Sequence, residues 1–190
     1  MLPDRFQTER TILKPLEVDD VEELQSYLNA PGMIGCRCLP WEIRDVAPLS
    51  RARVEEALAA WAKEKKGFAL GIALRETGEL IGHATCDWHW DPHAPGIAVA
   101  VSPLRRRRGI GSEVARHLVS YLFENTAAHN VSGWISSWNE AGLAFAAALG
   151  FRESGRIPRS EIRDGSYHEG VLVDLLKPEW RKLERERHGA

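Results

Sequence analysis

The junction between an apolar stretch and a basic, glycine-containing turn, residues 97–112, constrains this chain more than any other segment. Residues 97–101 are apolar, with β-branched residues at alternate positions, which predicts a buried strand. Four arginines follow at 105–108, and then Gly109 and Gly111. Apolar residues recur beyond them at helical spacing, so a helix is expected to begin near the two glycines. That apolar stripe consists of Ile110, Val114, Leu118, Tyr121 and Leu122.

Such a junction is suited to bind an anion. The first backbone N–H groups of a helix have no partner within it, and the helix dipole adds partial positive charge there. Glycines let a bulky group approach the backbone, so a phosphate or pyrophosphate is the expected ligand. No Lys-Ser or Lys-Thr follows Gly111, and the third glycine of G-x-G-x-x-G is missing, which excludes both common nucleotide-binding motifs. A solvated basic turn that caps an ordinary helix is the alternative.

The composition is that of an ordinary globular protein. The 190 residues, 44% hydrophobic and 27% charged, fit one domain with one core. A net charge of −2 argues against a protein that coats nucleic acid or an anionic membrane. Cys36, Cys38 and Cys86 form neither a disulfide framework nor a usual zinc-ligand spacing, and no metal site is expected. The absence of a signal peptide and of a membrane-spanning stretch predicts a cytoplasmic protein.

Periodicity and turn residues predict the element order β-α-α-β-β-β-α-β-α-β-β. A first strand is expected at 10–16, a helix opens at Asp19, and Ser50 caps a second helix. The segment between these helices, 30–49, carries three prolines and two glycines and is expected to be a loop. Further strands are predicted at 68–74, 79–88, 97–101, 131–137, 151–157 and 168–176, with helices after Gly111 and Asn139.

Two motifs within this order resemble those of the GNAT N-acetyltransferases. Arg106, Gly109 and Gly111 match the pyrophosphate-binding motif R/Q-x-x-G-x-G/A. Asn139, followed nine residues later by Leu-Gly-Phe at 149–151, matches the second motif, N-x(9)-L-G-F. Because the element order also agrees, the resemblance extends over most of the chain and not over six residues alone.

The resemblance implies an α/β (α+β) fold. A mixed, mostly antiparallel central sheet of about seven strands would be flanked by about four helices. The expected boundaries are a single GNAT domain over residues 1–177 and a charged C-terminal tail over 178–190. The last part of the domain, with Arg-Asp-Gly-Ser-Tyr at 163–167 and Glu-Trp at 179–180, resembles the RimJ/RimL branch. That branch contains acetyltransferases of ribosomal-protein N-termini and their relatives.

The resemblance also implies acetyl-CoA as co-substrate and an amine as acceptor. Backbone groups of residues 99–101 would bond the pantetheine arm, as an added strand bonds a sheet edge. Amides from Arg106 to Ser112 would hold the pyrophosphate, and arginine side chains would reach it or the ribose 3′-phosphate. Asn139 would sit beside the pantetheine. The implied cofactor-binding residues are Val99, Ala100, Val101, Arg106, Arg107, Arg108, Gly109, Ile110, Gly111, Ser112 and Asn139.

The catalytic side chains common in this family are replaced in this chain. Attack of a neutral amine on a thioester needs a proton acceptor, donors for the oxyanion, and often an acid for the leaving thiolate. The positions of the family's glutamate, serine and tyrosine are occupied by Gly96, Gly142 and Ala146.

Local substitutes for these groups are available in the sequence. Asp87 and His89 share one face of an extended strand and are candidates for the base. Either Ser136 or Ser137, at the end of a strand, could supply a hydroxyl donor, and Ser137 is the preferred candidate. The alternative interpretation is an exposed polar strand end with satisfied serines.

Several functional questions stay open at this level. The acceptor is either a protein or peptide N-terminus or a small amine, and Trp41 in the 30–49 loop is expected to wall its pocket. A CoA-binding regulator without catalytic activity is the alternative function, because the usual catalytic side chains are missing. No nucleic-acid or membrane partner is expected, and a homodimer through an open sheet edge near the last strands is predicted.

Overall fold

The computed structural model describes residues 6–88 and 91–189. Within those ranges the chain forms seven strands and five α-helices, in an order that agrees with the sequence prediction. The strands are β1 (Thr11–Pro15), β2 (Gly67–Leu74), β3 (Leu80–Asp87), β4 (Gly96–Val101), β5 (Asn130–Ser136), β6 (Arg152–Arg163) and β7 (Ser166–Leu176). The helices are α1 (Val21–Leu28), α2 (Arg51–Lys63), α3 (Ile110–Asn125), α4 (Glu140–Leu149) and α5 (Lys177–His188).

The strands form a mixed sheet in the order β1-β2-β3-β4-β5-β7-β6. The pairs β1–β2, β2–β3, β5–β7 and β6–β7 are antiparallel, and β4 pairs with β5 in parallel. The predicted fold class is therefore confirmed, with α5 as a fifth helix in place of most of the expected tail. The chain divides into two compact units, Met1–Asp87 with Ala98–His117 and Trp88–Ile97 with Leu118–Ala190. The expectation of one domain over 1–177 stays a prediction.

The core of the first unit lies where α1 and α2 pack against the sheet. Helix α2 begins after Ser50, as predicted. The Ser50 hydroxyl accepts a hydrogen bond from the Arg53 N–H at 3.3 Å and so caps the helix. Helix α1 begins at Val21, after a 3₁₀ turn at Val18–Asp20, and so two residues later than Asp19. The buried residues of this core come from both helices, the loop between them and two strands: Val21, Leu24, Tyr27, Leu28, Met33, Ile43, Leu49, Val54, Ala57, Leu58, Leu80 and Ala100.

The predicted loop between α1 and α2 is built around a buried arginine. Arg37 is 1% exposed, and its guanidinium donates to the Leu28 carbonyl at 2.6 Å and to the Ala47 carbonyl at 2.7 Å. It also pairs with the Asp45 carboxylate at 3.0 Å. Because a buried cation is costly unless its donors are satisfied, these bonds hold both ends of the loop to one side chain.

A polar network is buried in the first unit at His83 of β3. The imidazole is fully buried, with the Tyr27 hydroxyl 2.6 Å from Nδ1 and the Cys38 carbonyl 3.3 Å from Nε2. The Trp61 ring packs on it at a centroid distance of 4.8 Å. Burial lowers the pKa of His83 to about 4, although hydrogen bonds to the Cys38 and Arg37 backbones act in the opposite direction.

The depressed pKa of His83 predicts a loss of stability in mild acid. Between about pH 6.5, the ordinary value, and about 4, the unfolded chain binds one more proton at this residue than the folded chain. The free energy of unfolding should therefore be highest above pH 6.5 and lose about 3 kcal/mol from His83 as the pH falls through this window. Urea unfolding of wild type and of His83→Gln across pH 4–7 measures this loss. The difference in the free energy of unfolding between the two proteins should become smaller as the pH falls. The exposed His129→Gln variant is the control, and an unchanged difference for His83→Gln would contradict the prediction.

The second unit combines β5, β6 and β7 with α4, α5 and the end of α3. Gly150 ends α4 in the left-handed conformation, with φ of 100°, as glycine at this position commonly does. The β6–β7 hairpin turns at Asp164 and Gly165, both with positive φ, as an Asp-Gly hairpin turn requires. Helix α5 is docked by Trp180, which is 8% exposed and packs on Phe123 at 5.4 Å. No helix in the described ranges is long and apolar enough to cross a membrane.

Candidate active site

Strand β4 presents alternate backbone groups to its two edges. Just beyond the strand, the Ser102 N–H donates to the Ile81 carbonyl of β3 at 2.7 Å. Because successive strand residues point their N–H and C=O groups to opposite edges, those of Ala100 face β3 and those of Val99 and Val101 face away from it. Val99 and Val101 are therefore the residues of β4 that can bond an added chain, while Ala100 contributes packing.

One of these carbonyls has a protein partner. The Arg106 Nε–H donates to the Val101 carbonyl at 2.9 Å, and its Nη2 lies 2.8 Å from the Met33 sulfur. A carbonyl oxygen has two lone pairs, so Val101 keeps acceptor capacity. The bond ties the first arginine of the motif to the end of β4 and fixes where the following turn begins.

The turn that follows has the backbone geometry of an anion-binding nest. The φ angle is −68° at Arg106, 59° at Arg107 and 77° at Gly109. Alternation in the sign of φ turns successive N–H groups toward one side. The Glu113 N–H makes a helical bond to the Gly109 carbonyl at 3.0 Å, so the N–H groups of 110–112 lie in the first turn of α3 without an i−4 partner.

The four arginines of this turn divide into two pairs. The Arg105 guanidinium forms a salt bridge with Glu79, and the Arg106 side chain binds the end of β4. Arg107 and Arg108 are exposed. The second pair is therefore better placed to reach a phosphate group, and the sequence alone could not separate the two pairs.

A further arginine, which the motif does not include, contacts the same turn. Arg10 lies just before β1, and its Nη1 donates to the Arg108 carbonyl at 2.5 Å. Its backbone N–H and its Nε donate to the two carboxylate oxygens of Glu113 at 2.8 and 2.7 Å. Burial raises the pKa of Glu113, but hydrogen bonds from Thr8 and Arg10 outweigh it, and the net pKa is lower than usual. Glu113 is therefore charged at neutral pH.

The second unit holds the other implied site residues. Asn139 caps α4, as predicted, and its side-chain oxygen accepts from the Gly142 N–H at 3.0 Å. Ser137 is bridged to β7 by two bonds: its N–H donates to the Glu169 carbonyl at 2.8 Å, and its hydroxyl accepts from the Glu169 N–H at 3.1 Å. The Ser137 oxygen is thus held in place while its proton is left to donate. Its neighbour Ser136 is 6% exposed.

Comparison with known protein families matches residues 10–152 to the family described as acetyltransferase (GNAT) domain. The chain belongs to this GNAT family. It is an N-acetyltransferase, and the co-substrate of such enzymes is acetyl-CoA. The nest at Arg106–Gly109 and the first turn of α3 fit the pyrophosphate of that molecule, because they combine clustered amides with exposed arginines.

Similar proteins match almost the whole chain. The uncharacterized N-acetyltransferase YoaA of Bacillus subtilis (strain 168) is 28% identical over 178 residues, which are 91% of this chain and 97% of YoaA. A GCN5-related N-acetyltransferase from Brucella melitensis has a similar structure, with a TM-score of 0.79 and 19% identity over 96% of this chain and 84% of that chain. A chimera of spermidine N-acetyltransferase SpeG from Vibrio cholerae and hSSAT has a TM-score of 0.73 and 14% identity, covering 90% and 98%. The two structural likenesses show the GNAT fold.

The three positions that depart from the usual GNAT pattern have different surroundings. A Cβ added at Gly142 would lie 2.6 Å from the Asn139 side-chain nitrogen and 3.1 Å from Ile135 Cγ2. A serine at this position would require the end of the Asn139 side chain to move, so Gly142 leaves space for the capping side chain. Ala146, at the tyrosine position, is 6% exposed and buried in the second unit. Gly96, at the glutamate position, begins β4 and pairs with Ser132.

One of the two predicted base residues lies at the end of β3. Asp87 is the last residue of β3, half-buried and paired with Gly67 of β2. His89 lies outside the described residues, as does Trp90. Asp91 accepts from the His93 N–H at 2.7 Å, so this carboxylate stabilises the loop that leads to β4.

The tryptophans have different surroundings. Trp41, expected to wall the acceptor pocket, is 85% exposed in the loop between α1 and α2. Trp134 is 44% exposed and packs over Gly170, where an added Cβ would lie 2.1 Å from the indole. Trp138 donates from its indole N–H to the Glu161 carboxylate at 3.1 Å, and the Arg163 guanidinium stacks on its ring at 3.7 Å.

Proposed function

We propose that this chain transfers the acetyl group of acetyl-CoA to a primary amine by direct attack within a ternary complex. The observation that carries the proposal is the nest at Arg106–Gly109, which continues into the open amides of α3 and is flanked by the exposed Arg107 and Arg108. Such a site can bind a pyrophosphate through backbone amides and exposed arginines. Because these arginines are exposed, they stay solvated when the ligand leaves.

The remaining cofactor contacts follow from the two units taken separately. In the first unit, the edge of β4 that faces away from β3 offers the Val99 and Val101 backbone groups to the pantetheine amides. In the second unit, the amide of Asn139 is oriented by its bond to Gly142 and is proposed to contact the pantetheine arm. Arg107 or Arg108 is proposed to bind the ribose 3′-phosphate.

Two acceptor classes follow from the family. The chain ending resembles the RimJ/RimL branch, which favours a protein or peptide N-terminus. The spermidine N-acetyltransferase chimera shares only its fold with this chain. On that basis a small amine is the other candidate acceptor. Acetyl transfer to both acceptor classes uses the same step, in which the neutral amine attacks the thioester carbon and the thiolate leaves.

Ser137 is proposed to donate a hydrogen bond to the leaving thiolate, which then takes its proton from solvent. Its oxygen is held by the Glu169 N–H, so the hydroxyl group is fixed in position and its proton remains available to donate. Ser137→Ala should lower kcat by roughly 10²-fold while the Kd of CoA is unchanged. Steady-state rates and calorimetry measure the two quantities. Ser160→Ala removes an exposed hydroxyl of β6 that bonds the His168 carbonyl, and this control should keep full turnover.

The proposed function is tested first by binding and then by turnover. Calorimetry with CoA and with dephospho-CoA should show binding to both, weaker without the 3′-phosphate. A panel of small amines and N-terminal peptides, read as free thiol released from acetyl-CoA, should then identify the acceptor class. No binding at millimolar CoA would overturn the function. Tight CoA binding with no thiol release from any acceptor would support instead the alternative, a CoA-binding regulator without activity.

A further inference from the structure

We propose that Arg10 is a positioning residue for the CoA pyrophosphate, an inference that rests on the proposed function. Arg10 lies outside the pyrophosphate motif and 98 positions from Arg108, whose carbonyl it binds. The proposal has two parts: Arg10 fixes the shape of the 106–109 turn, and it balances the charge of Glu113 beside the site.

The first part follows from where the guanidinium bonds are made. Arg107 and Gly109 both have positive φ, and the Arg108 carbonyl between them accepts from Arg10 Nη1. A non-glycine residue at positive φ is strained, so this turn needs external bonds to keep its shape. Arg10 supplies a charge-assisted bond at the middle residue and holds it relative to α3 through Glu113.

The second part follows from the charge of Glu113. Its carboxylate lies in the first turn of α3, where the amides proposed to bind the pyrophosphate begin. Its depressed pKa keeps it ionised, and an unbalanced anion at this place would repel a phosphate group. Arg10 donates to both carboxylate oxygens, from its backbone N–H and its Nε, and its guanidinium offsets that charge.

The packing around Arg10 agrees with a positioned side chain. A Cβ added at Gly109 would lie 3.1 Å from Arg10 Nη2, so the glycine of the motif leaves room for this guanidinium as well as for positive φ. The backbone before β1 is fixed in turn by Arg75, which donates to the Thr8 and Glu9 carbonyls at 3.2 and 3.1 Å. Arg75 also donates its N–H to the Arg10 carbonyl at 3.0 Å.

The test compares two acetyl donors on one variant. Acetyl-CoA carries the pyrophosphate, and S-acetylpantetheine carries the same thioester and arm without it. Arg10→Met should raise the KM for acetyl-CoA and the Kd for CoA by about tenfold or more, because a charge-assisted contact network is lost. The kcat/KM for S-acetylpantetheine should be unchanged. Arg53→Met, which removes an exposed arginine paired with Glu56 on α2, should change neither donor.

The other possible outcomes contradict part or all of the proposed role of Arg10. An equal loss with both donors would reduce Arg10 to a general structural residue, and an unchanged KM for acetyl-CoA would also overturn the proposal. If wild type itself fails to bind CoA, the proposed function fails and the role of Arg10 falls with it, whereas CoA binding by wild type with an unchanged KM in Arg10→Met overturns the role of Arg10 alone. Should Arg10→Met fold poorly by circular dichroism, Arg10→Lys keeps the charge but replaces the separate Nε and Nη1 donors with a single nitrogen, and the same donor comparison applies to it.

Discussion

Replacing Gly111 with valine is expected to abolish CoA binding and leave the fold intact. Gly111 is the second residue of α3, and its N–H is one of the amides proposed to hold the pyrophosphate. A branched side chain there would cover the neighbouring amides of Ile110 and Ser112 and keep the phosphates out of hydrogen-bond range. Because several charge-assisted bonds would be lost together, the Kd of CoA should rise by at least roughly 10²-fold.

The fold of this variant should survive, because valine is a better helix residue than glycine. Urea unfolding checks that point, and calorimetry with CoA measures the affinity. Gly155→Val is the matched control: an added Cβ at Gly155 makes an ordinary 3.7 Å contact with Leu172 in the β6–β7 hairpin. That control should bind CoA like wild type. Normal CoA binding by Gly111→Val would show that the pyrophosphate lies elsewhere.

The fold could be predicted from the sequence wherever a local signal has only one structural solution. Ser50 and Asn139 cap the helices that they were predicted to cap. A short polar side chain just before a helical pattern of apolar residues can accept from the helix N–H groups that have no intrahelical partner. The Asp164-Gly165 pair turns the last hairpin, because both residues tolerate positive φ. These are contacts between residues a few positions apart, which a sequence displays directly.

The contacts that complete the site could not be predicted in this way. Arg10 and Glu113 are separated by 103 positions, and neither residue carries a local signal for the other. A glutamate in the first turn of a helix is ordinary, since the helix dipole favours it. Arg37 and His83 were missed for the same reason. A buried arginine or histidine differs from an exposed one only in its partners, which come from distant parts of the chain.

The missing catalytic side chains illustrate how sequence and structure differ as evidence. The sequence shows that the serine position holds Gly142, which alone favours a chain that has lost activity. The structure shows that a Cβ at this position would lie 2.6 Å from the end of the Asn139 side chain, so Gly142 leaves room for the side chain that caps α4. This contact accounts for the space beside the Asn139 side chain, but it does not replace the missing hydroxyl, which Ser137 is proposed to supply.

The final prediction concerns Asp87 as the base that accepts the proton of the acceptor ammonium. Asp87 ends β3, and its partner Gly67 presents no side chain beside it. A Cβ at Gly67 would lie 3.2 Å from the Asp87 Cβ and 2.3 Å from the Cys86 carbonyl oxygen. The close packing of Gly67 against the end of β3 thus fixes the backbone of Asp87, and the proposed base is held at a defined position at the strand end.

Asp87→Asn should lower kcat by roughly 10²–10⁴-fold while the affinity for acetyl-CoA holds, since the amide keeps the shape but cannot accept the proton. The acidic limb of the pH–rate profile should disappear with it. Acceptor amines of different pKa make the test specific. If Asp87 is the base, the acidic limb of the wild-type pH–rate profile should lie at the same pH for all of these amines. Asp91→Asn, which removes a carboxylate bonded to the His93 N–H, is the matched control and should keep its turnover.

The companion variant His89→Gln tests the second candidate from the same segment. If Asp87→Asn and His89→Gln both turn over normally, and the acidic limb moves with the pKa of the acceptor, proton removal belongs to solvent. The enzyme would then work through proximity and preoriented donors, among which the Ser137 hydroxyl, held by the Glu169 N–H, is the best placed of the described residues.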